Sequence, residues 1–265
     1  MRVVTYLDEA GTHRGSGFMM MAGYTACLGQ WMSFDKLWSR CLERTGLTYS
    51  HVQEMWGRDG EYKGWTNADV DAFLLRAFKI TDRNTLFGFA MRLNFPEFEG
   101  VYRAPVTEPK VSLDSSFGLC FRSCVSTVPD MARRFLDRDD LVFDFVVESG
   151  HENAGAAPHI FKQIKGKKIV GVSELLGTCT LGGKKGHYGL QAADALASSA
   201  YQFDDHVPRT DIPQDISIDA ARKAAASCSP TFRSEVTTEV MSDLRNGMHD
   251  FHRMRREHWL ARKAA

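Results

Sequence analysis

The stretch from Leu141 to Glu148 constrains the fold more than any other: LVFDFVVE is an almost unbroken apolar run that stops at an acid. It predicts a central strand covered on both faces, the usual setting of parallel strands lying between helices. The chain opens with a similar run, Val3 to Leu7, that also stops at acids, Asp8 and Glu9. Gly11, Gly15 and Gly17 then turn the chain into a second apolar run beginning at Phe18, so the opening predicts a hairpin. Hairpin strands followed by strand–helix–strand units imply a mixed sheet with an antiparallel edge and a parallel centre. The strand ending at Glu148 fits most simply beside and parallel to the first. Asp8 and Glu148 would then share neighbouring carboxyl ends, where open α/β sheets place their sites.

Helices fill the intervals. Gln30 to Arg44 carries Trp31, Phe34, Leu37, Trp38, Cys41 and Leu42 at helical spacing, and Gly46 ends it. Asn67 to Ile80 is a second helix, and Thr85 to Leu93 an apolar strand. Asn94 to Val111 reads as a loop, Leu113 to Thr127 as a helix stopped by Pro129, and Lys167 to Leu176 as a strand. Thr178 to His187 reads as a loop rich in glycine and lysine, and Gly189 to Gln202 as a helix of small residues. Beyond Pro208 and Pro213 the chain reads as helical and polar. The expected division is a core over residues 1–205 and a helical C-terminal extension, 206–265, packed on it.

With 43% hydrophobic and 25% charged residues, the 265-residue chain has the composition of a globular protein with a real core. Its formal net charge is zero, so nucleic-acid binding would need a local patch. The six cysteines form no C-x-x-C pair, which argues against a zinc ribbon. They read as buried free thiols of a cytoplasmic protein without a signal peptide. No apolar run approaches the roughly 20 residues of a membrane span.

A carboxylate buried at a strand end is costly unless it is paired or binds a metal. Asp194, in the small-residue helix, supplies a third such acid beside Asp8 and Glu148. Two-metal phosphodiester cleavage uses several carboxylates around Mg²⁺ or Mn²⁺ ions roughly 3.5–4 Å apart. The structural alternative makes Asp8 and Glu148 turn or cap residues and Asp194 a hydrogen-bonder. Asp144 shares a strand face with Glu148 but lies about 13 Å from it at strand rise, too far for the same metal pair. Glu9 points away from Asp8 if the strand continues, so it is kept outside the ligand set as a supporting acid. Gln191 shares a helix face with Asp194 and could orient a ligand. His51 with Glu54 is a candidate proton-transfer pair or a structural one. His151 could protonate a leaving group or cap a helix, with Asn153 the better cap. Lys165, Lys167 and Lys168 form one basic cluster. Lys184 and Lys185 form another, ahead of the Asp194 helix, and could hold a phosphate backbone. The arginine-rich tail, from Arg245 to Lys263, could bind nucleic acid or simply be solvated.

Four segments carry a family resemblance. Tyr6-Leu7-Asp8-Glu9-Ala10-Gly11 resembles the Y-h-D-E-S/A-G opening of the DUF3800 family. Ser50-His51-Val52-Gln53-Glu54-Met55, followed by Gly60 to Trp65, is similar to its H-x-x-D/E and G-E-F-K-x-W segments. Val147 to Asn153 resembles its E-x-G-H-E-N strand end, and Leu190 to Ala197 its L-Q-x-A-D-x-x-A helix. Ala10 stands where Ser is commoner, and Glu54 where Asp is frequent. The resemblance spans residues 1–205. It implies an RNase H-like fold, three antiparallel strands followed by parallel ones, and an acidic metal site at Asp8, Glu148 and Asp194.

The functional expectation is a nuclease or other phosphodiester hydrolase with Mg²⁺ or Mn²⁺ on those three acids and nucleic acid as partner. The first rival is a non-catalytic module of the same fold that binds nucleic acid or a protein. The second is hydrolysis of a nucleotide or glycoside by the same acids.

Overall fold

The computed structural model describes residues 1–13, 15–104, 113–167, 172–202 and 231–264. Six strands form one sheet: β1 (Arg2–Ala10), β2 (Phe18–Cys27), β3 (Phe87–Asn94), β4 (Val142–Glu148), β5 (Leu176–Gly182) and β6 (Thr231–Glu235), in the order β5-β4-β1-β2-β3-β6. β1, β2 and β3 are antiparallel neighbours, while β4 runs parallel to β1 and β5 parallel to β4. This is the mixed sheet expected from the sequence, with the apolar Val142–Glu148 strand paired on both sides, by β1 and β5.

Among the described residues the helices are α1 (Leu28–Thr45), α2 (Val52–Gly57), α3 (Asn67–Asn84), the single turn α4 (Phe95–Glu97), α5 (Ser116–Leu136), α6 (Ala157–Gly166), α7 (Tyr188–Gln202) and α8 (Thr238–Ala264). Strand alternation sorts the core into two layers. Val3, Leu7, Phe143, Phe145 and Val147 pack with α5 and α6 on one face. Phe18, Met20, Tyr24 and Ala26 pack with α1, α2, α3 and α7 on the other. Helix α7 lies close to the sheet because its near face is small. A Cβ on Gly189 would come within 2.4 Å of the Tyr6 ring, so that glycine sets the helix-to-sheet distance. Gly11, at φ +79°, makes the turn after β1 and lies under the Tyr201 ring of α7. The same helix thus covers the end of the strand that carries Asp8.

Several expectations are corrected. Pro129 lies inside α5 rather than ending it. An interior proline costs about 3 kcal/mol, but Val125, Val128 and Ala132 on both sides of it are fully buried, and their burial holds the helix through it. Ser173–Leu175 is a 3₁₀ turn, and the strand follows it at Leu176–Gly182; residues 168–171, including Lys168, lie outside the described ones. β5 pairs with β4 at one end of the sheet order and is buried only at Leu176 and Gly182, so its Gly and Thr residues resemble a loop in sequence. The segment after Asn94 begins with α4 and a π-helical turn, Phe98–Tyr102; residues 105–112 are outside the description. The C-terminal part is not all helical, since β6 pairs parallel with β3. An Arg92–Glu235 ion pair and a hydrogen bond from Val236 N to Arg92 O (2.9 Å) secure it. Pro208, Pro213 and Cys228 fall outside the described residues. Cys41, Cys120 and Cys124 are buried free thiols; Cys27 and Cys179 are free but only partly buried. Among the described residues, no helix is long and apolar enough to cross a membrane.

Candidate metal centre

The β1–β4 pairing runs in register to Leu7 opposite Val147. Asp8 and Glu148 follow at the next position of each strand, on the face covered by α7. Glu9 joins them. Oxygens of Asp8, Glu9 and Glu148 lie within 4.8 Å of one another. Alternation alone would send Glu9 to the opposite face. The β1–β4 ladder ends at Leu7 and Val147, however, and past it the long glutamate side chain reaches the group. Asp8 is 2% exposed, and its Oδ1 accepts from Glu9 N at 2.8 Å. Glu148 accepts from Gly150 N. Glu9 Oε2 is buried and has no hydrogen-bond partner among the described residues.

Asp194 lies apart from this trio and is joined to it through Lys184. The lysine Nζ is 3.1 Å from Asp8 Oδ2 and 3.2 Å from Asp194 Oδ1. It pairs with Asp8 by charge, without the alignment of a hydrogen bond to Oδ2. Asp194 Oδ2 accepts from Val52 N at 2.7 Å, so this aspartate also fastens the start of α2. Lys184 is therefore held between two acids and is not a loop lysine left to hold a phosphate backbone. It sits in a 3₁₀ turn, Lys184–Gly186, whose first carbonyl is held by Gln191 Nε2 at 2.8 Å. Gln191 is fully buried, and its Oε1 accepts from Trp38 Nε1 (2.7 Å) and Ser50 N (2.9 Å). That leaves it a framework role with no side to offer a ligand.

The charges oppose one another. Burial pushes the Asp8 carboxyl well above its usual range, the nearby charge of Asp194 adds to this, and Lys184 works against it. Burial and then Glu148 push Glu9 up to about 7, again against Lys184. For Lys184 itself, burial would lower the pKa, but Asp194 and Asp8 outweigh it and hold the ammonium above its ordinary value.

The Glu9 shift has a consequence for stability. Its folded pKa of about 7 stands above the ordinary 4.5. The stabilising contribution is therefore complete below about pH 4.5 and is lost as the pH rises through 7. In metal-free protein, ionising this buried group should cost at most about 3 kcal/mol. Thermal unfolding from pH 5 to 8 should show a downward trend that is shallower in Glu9→Gln. Equal slopes in the two proteins would remove Glu9 from the buried group.

The acids form part of a cleft of about 970 Å³ whose walls include His13, Tyr49, His51, Trp56, Lys185 and Tyr201. The Lys185 ammonium lies 4.8 Å above the Tyr49 ring. The Tyr49 hydroxyl donates to Glu54 Oε1 at 2.7 Å, and the same oxygen lies 3.2 Å from His51 Nδ1. Hydrogen bonding to Glu54 pushes Tyr49 up to about 12. His51 and Glu54 are thus paired, with His51 on the cleft wall. His151 is elsewhere: it stacks on Phe117 at 4.7 Å, accepts from Asn153 N at 3.0 Å, and is held below its usual pKa by burial. Asn153 makes no side-chain cap. Asp144 is structural, accepting from Thr178 N (2.8 Å) and Oγ1 (2.7 Å) and lying 3.2 Å from Arg2.

Sequence reasoning missed Glu9 as a full member, Lys184 as a buried ion-pair partner, and Trp56 at the cleft wall, whose buried Nε1 has no hydrogen-bond partner among the described residues. The adjacency of Glu9 to Asp8 was the one available signal. Comparison with protein-family models, curated proteins and solved structures found no match to the chain. The resemblance to DUF3800 therefore rests on the four sequence motifs.

Proposed function

We propose that this chain is a divalent-metal-dependent phosphodiester hydrolase acting on nucleic acid, with Mg²⁺ or Mn²⁺ held by Asp8, Glu9 and Glu148. The observation that carries the reading is Glu9 Oε2, a buried carboxylate oxygen without a hydrogen-bond partner among the described residues, inside a trio of acids at adjacent strand ends. An unpartnered buried acid is expensive, and a hard cation on an all-oxygen set would relieve it. Such an ion supplies Lewis-acid charge at a phosphoryl oxygen. Asp8 and Glu148 are pre-placed by two paired strands, so little ordering is needed on binding. Lys185 and Tyr49 line the cleft, where a cation and an aromatic face suit a polyanion carrying bases. Hydrolysis breaks a phosphorus–oxygen bond, takes a proton from the attacking water and returns one to the leaving oxygen. His51, oriented through Nδ1 by Glu54, is the cleft group suited to that exchange.

The test is cleavage of single- and double-stranded DNA and RNA with Mg²⁺, with Mn²⁺ and with chelator. Metal-dependent cleavage is expected, falling at least about 100-fold in Glu148→Ala. Nucleic-acid binding without turnover under any metal would favour the non-catalytic module. Cleavage indifferent to chelator would sink the metal reading.

A further inference from the structure

We infer that Lys184 fills the second cation position of this centre, so that the site takes one divalent ion and one built-in ammonium rather than two ions. The inference rests on the metal reading above and concerns its stoichiometry. In two-metal centres the ions are roughly 3.5–4 Å apart, so their carboxylates must serve two cations at once. Here Asp8 has that double role. It belongs to the Asp8–Glu9–Glu148 trio and also faces Lys184, whose Nζ is 3.1 Å from Asp8 Oδ2. Lys184 bridges onward to Asp194 Oδ1 at 3.2 Å, the acid that the sequence motifs place in the ligand set. Asp194 has its other oxygen on Val52 N at 2.7 Å, so each of its oxygens already has a partner, one of them the ammonium.

The ammonium is also hard to displace. Its backbone carbonyl is tied to the fully buried Gln191, which is itself fixed by Trp38 and Ser50. The side chain is only 17% exposed. An ammonium has three donors. Its Nζ faces Asp8 and Asp194 at 3.1 and 3.2 Å, and Lys184 also lines the cleft, where the ammonium can meet a substrate oxygen.

Mn²⁺ stoichiometry on the full chain, measured by calorimetry and by electron paramagnetic resonance, tests this. The native protein should bind one ion per chain with the signal of an isolated Mn²⁺. Lys184→Ala should bind two, and Lys184→Arg one. Two ions in the native protein, or the coupled signal of a close pair, would overturn the inference while leaving the metal reading intact. No ion at all would overturn both. A Lys184→Ala protein that folds and still binds one ion would also overturn it. Should that variant fail to fold, the isolated or coupled signal of the native protein decides alone.

Discussion

Lys184→Ala should lower the melting temperature of the metal-free protein by on the order of 10 °C, whereas Lys185→Ala should hardly move it. Removing one partner from a buried ion pair leaves an uncompensated charge and costs about 3–5 kcal/mol. At roughly 2–4 °C per kcal/mol for a chain of this size, that gives the stated shift. Lys184 faces Asp8 and Asp194 at 3.1 and 3.2 Å, so two acids lose their cation together. Lys185 is exposed and its ammonium lies over the Tyr49 ring; exposed changes of that kind usually stay within about 0.5 kcal/mol. Added Mn²⁺ should restore much of the loss in Lys184→Ala, because an ion can then take the vacated position. Equal, small shifts for the two lysines would mean that Lys184 is solvated after all, like a lysine in an open loop.

That contrast marks where the sequence stops being legible. β1, β2, β4 and α7 are readable because their apolar patterns are strong, and the order of elements alone brings Asp8 beside Glu148. β5 and β6 are harder, because strands at the ends of the sheet bury little. Leu176–Gly182 is buried only at Leu176 and Gly182, and Phe232–Glu235 is exposed throughout. At the site, period two sends Glu9 to the wrong face. Only the end of the β1–β4 ladder at Leu7 and Val147 shows why it can return. A lysine between glycines has the composition of a solvated turn. What buries Lys184 is tertiary: Gln191, seven residues later and on another element, holds its carbonyl. Pro129 misleads for the same kind of reason, since the core contacts that carry α5 past it are distant in sequence.

The central claim is that Asp8, Glu9 and Glu148 hold a divalent ion, and a Mn²⁺ titration followed by thermal unfolding tests it most directly. An ion at about 100 times its dissociation constant stabilises the native state by about 2.7 kcal/mol, which corresponds to roughly 5–10 °C here. Native protein and Asp194→Asn should both show that rise, because Asn keeps an acceptor for Val52 N and the trio is left whole. Glu9→Gln and Asp8→Ala should lose most of it. A full rise in Glu9→Gln, or a rise lost in Asp194→Asn alone, would contradict the account and move the ion to the Asp8–Asp194 side, where Lys184 now sits.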